Sequence, residues 1–345
     1  MKAAYLEEIG KMGIRDIPIP EIGPDDVLVK MKAAGVCGSD LHAYLGKHQF
    51  RFPPVLLGHE GAGIVYKVGE NVKNVKVGDR VTVDPTEPCM HCHSCLEGNT
   101  NMCPDRIAPG TAGWFGGMGT WAEYFPIRGD HVYKINDDVS FARAALAEPM
   151  ANSMHILTQV QGEKHDSICV IGCGTIGLFA LLLAKQQGYK TVIGSDPVAF
   201  NREVALKVGA DIAIDPYNQD IEAEIMKATG GLGVDVCVVS ADFPGIFDQA
   251  ASITRRNGEI MLISMITEAS YLHSWTYLSK QLSLRGSCLY NTPDFVKSLE
   301  IVNDLSVDLS PFMTHSMPVD DAGKALDLLE KKYENVIKIT LTFDD

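Results

Sequence analysis

The feature that most constrains the fold of this chain is a glycine-rich turn between an apolar strand and an apolar helix. The run Asp166–Ile171 is followed by Gly172-Cys173-Gly174-Thr175-Ile176-Gly177 and then by the helical run Leu178–Lys185. In this context the G-x-G-x-x-G spacing lets backbone amides approach a pyrophosphate at the helix N-terminus. The next apolar run, Thr191–Ser195, ends at Asp196, whose carboxylate is placed to accept hydrogen bonds from a ribose diol. These residues predict a dinucleotide-binding fold.

Asp196 also predicts NAD as the cofactor in preference to NADP, because a 2′-phosphate would meet the carboxylate as like charge against like charge. Arg202 on the following helix is a further candidate for binding the cofactor. We expect Arg202 and Lys207, the nearest cations, to lie further along the chain from the ribose. The alternative role of Asp196 is that of a helix N-cap, because Asp is common before a Pro such as Pro197 at the start of a helix. Asp196 could cap the helix and bind the ribose at the same time.

The segments around this motif predict the fold class, which is α/β. Further strand patterns at 234–240 and 259–264 alternate with helices and indicate a doubly wound parallel sheet of the Rossmann type. The first 125 residues instead contain short alternating strands broken by Gly, Pro and Asp, which is typical of a β-rich domain. An alternating strand at 335–342 is expected to rejoin that domain. The predicted domains are therefore residues 1–150, residues 151–290, and a return to the first domain in 291–345.

Length and charge restrict the class of protein. A chain of 345 residues with 46% hydrophobic residues is long enough for two globular domains. The formal net charge of −14 disfavours nucleic acid and anionic membrane surfaces as partners. The N-terminal residues lack the apolar run of a signal peptide, and no apolar stretch is long enough to cross a membrane, so we expect a cytoplasmic protein.

Four cysteines on one loop indicate a metal site. Cys89, Cys92, Cys95 and Cys103 follow the pattern C-x2-C-x2-C-x7-C, and four thiolates at this spacing can surround one tetrahedral zinc. A closed shell of four cysteines leaves no position for substrate, so this zinc would be structural. An iron–sulfur cluster is the alternative, although the familiar ferredoxin spacing differs. In a reducing compartment such cysteines point to metal binding and not to disulfides.

A second set of candidate ligands lies near the start of the chain. Cys37 and His59 are ligands suited to zinc, and Glu60 adds a carboxylate beside them. Ser39 and His42 carry a hydroxyl and an imidazole that can pass a proton. Taken singly, a buried Cys or His is more often structural, and Ser39 and His42 have helix capping as their alternative role. Their grouping favours a metal centre with a proton relay.

In this order, the motifs resemble those of the zinc-containing medium-chain alcohol dehydrogenases. The resemblance rests on Cys37, Gly58-His59-Glu60, the four-cysteine loop, Glu148-Pro149 and the glycine motif, and it covers essentially the whole chain. It implies a GroES-like catalytic domain beside the Rossmann domain, two zinc ions per chain, NAD, an alcohol substrate, and a homodimer or homotetramer. A catalytically inert nucleotide-binding relative, or a zinc-free quinone reductase, would be expected to lack both ligand sets.

One departure from the family pattern bears on the substrate. Where those enzymes carry a second catalytic cysteine, this chain reads Ala144-Ala145-Leu146-Ala147-Glu148-Pro149. This resembles the polyol and threonine dehydrogenase branch and implies Cys37, His59 and Glu60 as zinc ligands, with Glu148 as an alternate or water-mediated ligand. The alternative role of Glu148 is that of a carboxylate at a helix N-terminus.

The resemblance implies a reaction, which is hydride transfer from a small polar secondary alcohol to NAD, giving the ketone. Vicinal diols, polyols and amino alcohols are the expected substrates, with L-threonine and simple alcohols as alternatives. Proton transfer would pass through Ser39 and His42. Leu289-Tyr290 stands where the sorbitol-type enzymes have an Arg-Tyr pair, so a cationic anchor is missing. Trp114, Phe115 and Phe52 are expected to add apolar surface to the substrate site, which favours a substrate shorter or less hydroxylated than a hexitol.

Overall fold

The computed structural model of the chain describes residues 1–111, 116–161, 165–266, 269–331 and 334–344. The chain forms two compact units: unit 1 comprises Met1–Pro149 and Asn291–Asp345, and unit 2 comprises Met150–Tyr290. The strands, in chain order, are β1 Lys2–Glu8, β2 Lys11–Asp16, β3 Asp26–Val36, β4 Val55–Leu56, β5 Gly61–Val68, β6 Arg80–Val83, β7 Tyr124–Arg128, β8 Val132–Lys134, β9 Ser167–Ile171, β10 Thr191–Ser195, β11 Ile212–Ile214, β12 Val234–Val239, β13 Thr254–Leu262, β14 Ser283–Gly286, β15 Met313–Pro318 and β16 Lys338–Thr342.

The α-helices, in chain order, are α1 Gly38–Tyr44, α2 His93–Leu96, α3 Phe141–Ala144, α4 Ala147–Thr158, α5 Thr175–Gln186, α6 Ala199–Lys207, α7 Ile221–Ala228, α8 Ile246–Ile253, α9 Ser274–Lys280, α10 Thr292–Asn303 and α11 Ala322–Lys331. Over the described residues, none of these helices has both the length and the apolar character needed to cross a membrane.

Unit 2 is built on a parallel sheet whose described strands lie in the order β11-β10-β9-β12-β13-β14. Every neighbouring pair in this order is parallel. All residues of β9 are buried, as expected for a strand covered on both faces. The direction of strand succession reverses between β9 and β12, and dinucleotides bind outside the carboxyl ends of strands at such a point. The predicted doubly wound sheet is confirmed.

Unit 1 is rich in β-structure, as the turn-dense sequence predicts. Its larger sheet has the strand order β15-β16-β3-β5-β6-β8, with β7 also paired to β3, and a smaller sheet has the order β2-β1-β4. The longest strand, β3, pairs with β5 on one side and with β16 on the other, both antiparallel. The fully buried Trp121 donates its indole N–H to the Gly35 carbonyl at 3.1 Å, next to the end of β3.

Candidate active site

Three of the predicted ligands meet because β3 and β5 are antiparallel neighbours. Cys37 follows β3 directly, and His59 and Glu60 directly precede β5. The Gly35 amide donates to the Glu60 carbonyl at 2.9 Å and holds the two segments together. One potential ligand atom from each of Cys37, His59 and Glu60 lies within 4.8 Å of the others. The sheet register thus brings together residues that are separated in the sequence.

Asp40, which the sequence analysis does not single out, connects these segments through hydrogen bonds. It is fully buried, and its carboxylate accepts hydrogen bonds from the Cys37 amide at 3.0 Å and the Gly58 amide at 3.1 Å. Its Oδ1 atom lies 3.6 Å from Nδ1 of His59. Burial opposes the ionised form, but the charges of His59 and Arg51 lower the pKa of Asp40 to about 2. A carboxylate facing Nδ1 leaves Nε2 of His59 for a metal, which is the usual outer-shell arrangement.

Glu60 forms a buried ion pair with Lys338, which the sequence analysis also misses. The Lys338 ammonium lies 2.7 Å from Oε1 of Glu60 and 3.2 Å from the Val36 carbonyl. The Oε2 atom of Glu60 is buried and has no hydrogen-bond partner among the described residues. A Cβ atom on Gly35 would lie 1.7 Å from this oxygen, so a larger residue there would displace the Glu60 carboxylate. A buried carboxylate oxygen without a partner is costly, and a cation would satisfy it.

These donors fit zinc. A thiol, an imidazole and a carboxylate with close donor atoms form the type of ligand set used in catalytic zinc sites, where a further position stays open. Glu148 is not a member of this close group. It is buried in the first turn of α4. Its negative charge acts on Lys338, the ion-pair partner of Glu60. Burial disfavours the ammonium form of Lys338, but Glu60, Cys37 and Glu148 raise its pKa.

Ser39 and His42 lie one turn apart on α1, which begins directly after Cys37. Arg51, a buried side chain absent from our sequence predictions, donates from Nη1 to Oγ of Ser39 at 3.3 Å. Because a guanidinium donates hydrogen bonds and cannot accept them, Arg51 occupies one lone pair of the Ser39 hydroxyl. The hydroxyl hydrogen of Ser39 can then be donated to another acceptor. Partial burial, and secondarily the charge of Lys47, lower the pKa of His42. A neutral imidazole is thereby favoured at the relay position.

The four cysteines of the predicted structural site also converge, with one sulfur from each within 4.8 Å of the others. The Cys92 amide donates to Sγ of Cys89, and the Cys89 amide donates to Sγ of Cys103, both at 3.3 Å. Amide hydrogen bonds, the one from His91 first, lower the pKa of Cys89 to about 6, whereas burial raises that of Cys95 to about 12. Four thiolates at this separation require a cation among them, so the cluster fits zinc.

The glycine motif has the geometry that a close backbone turn demands. Gly172 has φ of +96°, and a Cβ atom there would lie 2.7 Å from the Ser240 carbonyl. A Cβ atom on Gly177 would lie 1.9 Å from the Gly172 carbonyl, so this glycine permits the close packing of α5 on the turn. Gly174 faces open space at the N-terminus of α5, where Thr175 and Ile176 begin the helix. This open approach suits a pyrophosphate.

Asp196 follows β10 at the carboxyl edge of the sheet and is buried. Its carboxylate accepts hydrogen bonds from the amides of Cys173 and Val198, both at 2.8 Å, so it fixes the glycine turn against the start of α6. Each carboxylate oxygen has a second lone pair for a ribose hydroxyl. Although Arg202 lies further along the chain, its side chain reaches Asp196, and its Nη1 donates to the Asp196 carbonyl at 2.8 Å. The first turn of α6 brings this side chain back over the strand end.

The structure gives little support for a wall built from the predicted aromatic residues. Phe52 is 64% exposed. Trp114 and Phe115 lie outside the described residues. Tyr290 is only 1% exposed, and the preceding Leu289 has φ of +54°.

Comparison with known proteins decides the family. Residues 23–137 match the alcohol dehydrogenase GroES-like domain, and residues 175–304 match the zinc-binding dehydrogenase family. The chain is 32% identical to sorbitol dehydrogenase from Bacillus subtilis over 336 residues, which are 95% of this chain and 93% of that protein. The chain belongs to the zinc-binding alcohol dehydrogenase family. This dehydrogenase is also 31% identical to L-threonine 3-dehydrogenase from Caldanaerobacter subterraneus over 91% of this chain and 90% of that one.

Solved structures of similar dehydrogenases carry either nicotinamide cofactor. A zinc-binding dehydrogenase from Sinorhizobium meliloti bound to NADP superposes with a TM-score of 0.90 at 28% identity, covering 99% of each chain. An alcohol dehydrogenase from Escherichia coli complexed with NADH has the same TM-score, identity and coverage. The fold of this dehydrogenase, with its GroES-like and Rossmann parts, is therefore that of the family.

Proposed function

We propose that this dehydrogenase oxidises a small polar secondary alcohol, such as a vicinal diol, polyol or amino alcohol, to the ketone with reduction of NAD. The observation that carries the proposal is the close group of Cys37, His59 and Glu60, with a buried Glu60 oxygen that lacks a partner among the described residues. Zinc held by these residues would act as a Lewis acid that lowers the pKa of the alcohol. Glu148 is proposed as an alternate or water-mediated ligand.

The protein groups around this site are suited to move the hydroxyl proton. The Ser39 hydroxyl, which accepts from Arg51, keeps one hydrogen to donate and one lone pair to accept. His42, one turn along α1, is half-exposed, and its lowered pKa favours the form that can accept a proton. We propose that the proton passes from the alcohol through Ser39 to His42 and then to water.

The four-cysteine cluster is proposed to hold a second, structural zinc through Cys89, Cys92, Cys95 and Cys103. Four thiolates complete a tetrahedral shell, so this ion would stabilise the loop and take no part in the reaction. A reducing cytoplasm, which we propose as the location, would keep these thiols free for the metal.

NAD is the proposed cofactor because the buried Asp196 carboxylate stands where ribose hydroxyls are expected and a 2′-phosphate would be repelled. Since similar structures hold NADP as well as NADH, the preference needs a direct test. The test is a comparison of kcat/KM for both cofactors. Equal values would refute the preference, and Asp196→Ala is expected to narrow the difference.

The substrate class is the finer part of the proposal. A carboxylate-rich site favours an alcohol with a neighbouring oxygen or amine, because the second group can bond to the carboxylates while the reacting carbon stays oriented. Sorbitol and L-threonine, named for two of the relatives, are both of this kind. The decisive experiment is a screen of NADH formation over primary alcohols, diols, polyols, polyol phosphates and hydroxy amino acids. The highest kcat/KM on ethanol would refute the polyol-type assignment.

The rival function, a nucleotide-binding relative without catalysis, is disfavoured because both ligand sets are intact. Metal analysis separates the two. Freshly purified protein should contain two zinc ions per chain, and removal of the catalytic ion by Cys37→Ser should abolish turnover. Absence of tightly held zinc at this group would favour the rival.

We also propose that the protein assembles as a homodimer or homotetramer. Strand β14 is one edge of the described sheet of unit 2, and the helix that precedes it, α9, exposes the large apolar side chains Trp275 and Leu278. An open strand edge beside exposed apolar surface is typically covered in a stable protein. Light scattering that gives a monomer at micromolar concentration would refute this proposal.

A further inference from the structure

Arg202 in unit 2 contacts Asp196, and its guanidinium is already bonded to protein acceptors. Its Nη1 atom donates to the Asp196 carbonyl at 2.8 Å, and its Nη2 atom lies 2.8 Å from Oδ2 of Asp215. Both side chains of the ion pair are largely buried, with 19% of Arg202 and 18% of Asp215 exposed. The guanidinium is therefore held by one charged and one neutral acceptor.

Asp215 lies at the same edge of the sheet as Asp196. It directly follows β11, the parallel neighbour of β10, so both aspartates stand at carboxyl ends of adjacent strands. The Tyr217 amide donates to Oδ1 of Asp215 at 3.0 Å, and the Asn218 side chain donates to Oδ2 at 3.1 Å. These hydrogen bonds, the Asn218 bond first, lower the pKa of Asp215, so it is ionised at neutral pH. The turn after β11 thus presents a fixed negative charge to Arg202.

An arginine beside the adenosine ribose is the group that accommodates the 2′-phosphate of NADP in this kind of fold. It does so because the guanidinium forms paired, charge-assisted hydrogen bonds to phosphate oxygens. In this chain Arg202 is in such a neighbourhood, but a phosphate would have to compete with Asp215 for it. It would also face the negative charge of Asp215 itself.

We propose that Asp215 is a positioning residue for cofactor choice, which withholds the Arg202 guanidinium from a 2′-phosphate and so acts beside Asp196 to exclude NADP. The inference rests on the proposed use of NAD at this site. Discrimination against NADP then has two separable parts. Asp196 repels the phosphate directly, and Asp215 neutralises the cation that would otherwise attract it.

The test is direct binding of NADH and NADPH to the full-length enzyme, measured by fluorescence titration at fixed ionic strength. Asp215→Asn removes the charge and keeps an acceptor oxygen for the Tyr217 amide, although the amide nitrogen in place of Oδ2 can no longer accept from Asn218. We expect it to tighten NADPH binding by about fivefold to tenfold while NADH binding changes less than about twofold, as for a largely buried charge pair that retains some solvent exposure. Asp215→Glu, which retains the charge, should keep the ratio of the two affinities close to that of the parent.

A double-mutant cycle makes the test specific to Arg202. In an Arg202→Gln background, Asp215→Asn should no longer improve NADPH binding. Asp211→Asn is a matched control, because Asp211 lies at the other end of β11, where it pairs with Lys185. This control should change neither affinity.

The outcomes are distinguishable. If the parent enzyme binds NADPH as tightly as NADH, the proposed NAD preference is wrong. If the parent prefers NADH but Asp215→Asn leaves the ratio unchanged, only the role of Asp215 is wrong. An equal gain in the Arg202→Gln background would overturn the proposal in favour of simple charge removal. Thermal melting of each variant shows that the binding differences are measured on folded protein.

Discussion

Replacing Lys338 with Met is expected to destabilise the metal-free protein far more than the zinc-loaded protein. The ammonium is 2.7 Å from Oε1 of Glu60, and the two side chains are 3% and 1% exposed. Met retains most of the aliphatic stem, so the main loss is the positive charge beside a buried carboxylate. Breaking a buried pair by removal of one partner costs roughly 3–5 kcal/mol. In a domain of 150–250 residues this corresponds to a fall in Tm of roughly 6–20 °C.

Zinc should offset much of this loss. A divalent cation bound near Glu60 replaces the missing positive charge, and removal of the like charge of Lys338 favours the binding of that cation. By linkage, the stabilisation that zinc provides should be larger in the Lys338→Met variant than in the parent. The difference in Tm between the zinc-loaded and the metal-free protein is therefore expected to be larger for Lys338→Met than for the parent.

Differential scanning calorimetry of chelated and zinc-reloaded protein at pH 7 measures this difference. The four-cysteine cluster is the same in both proteins, so its contribution cancels. Lys2→Met is the matched control: Lys2 lies 2.8 Å from Asp320 in an exposed ion pair, so its loss should leave the Tm of both forms nearly unchanged. An equal fall in Tm with and without zinc would refute the reasoning and leave Lys338 as a packing residue.

Three further outcomes test other parts of the structure. Cys92→Ser should lower the zinc content by one ion per chain in atomic absorption and reduce thermal stability before it reduces activity, and unchanged zinc content would contradict this. His48 accepts hydrogen bonds from the Phe50 and Arg51 amides through Nδ1, and burial lowers its pKa to about 4. Stability should therefore fall as the pH drops from about 6.5 toward 4, because the unfolded state binds the extra proton. His48→Asn should reduce this dependence of Tm on pH in thermal melts. If the substitution changed Tm by the same amount at pH 7 and at pH 5, His48 would not be the source of the dependence. His42→Ala should slow turnover more at neutral than at alkaline pH, and a pH profile parallel to that of the parent would make His42 structural.

The parts of the fold that the sequence predicts are those encoded by neighbouring residues. The turn from Gly172 to Gly177 lies directly between β9 and α5, so its strand–turn–helix pattern is visible in the sequence. The cysteine loop is likewise local. Cys37 and His59 are separated, but each stands in a motif of its own, and the antiparallel pairing of β3 with β5 brings them together.

The contacts that the sequence does not predict depend on tertiary structure. Lys338 and Glu60 are 278 residues apart, and an isolated lysine in an alternating strand suggests a solvent-facing position. The sheet order places β16 beside β3, and this buries the lysine. The contact of Arg202 with Asp196 is not predicted for a related reason, because its distance from Asp196 along the chain says nothing about the direction in which the side chain extends from α6. Such contacts follow from topology and rotamer, which periodicity does not encode.

The position of β16 in unit 1 also has a consequence for synthesis on the ribosome. Unit 2 is continuous in sequence, whereas unit 1 is interrupted by it. The end of β3 from Ala33 to Val36, which pairs with β16, therefore lacks that partner until residues 338–342 have been translated, after all of unit 2. Because domains generally fold as units during synthesis, unit 2 can fold while unit 1 still has an open strand edge. The nascent chain is thus exposed to aggregation at this end of β3, directly before Cys37.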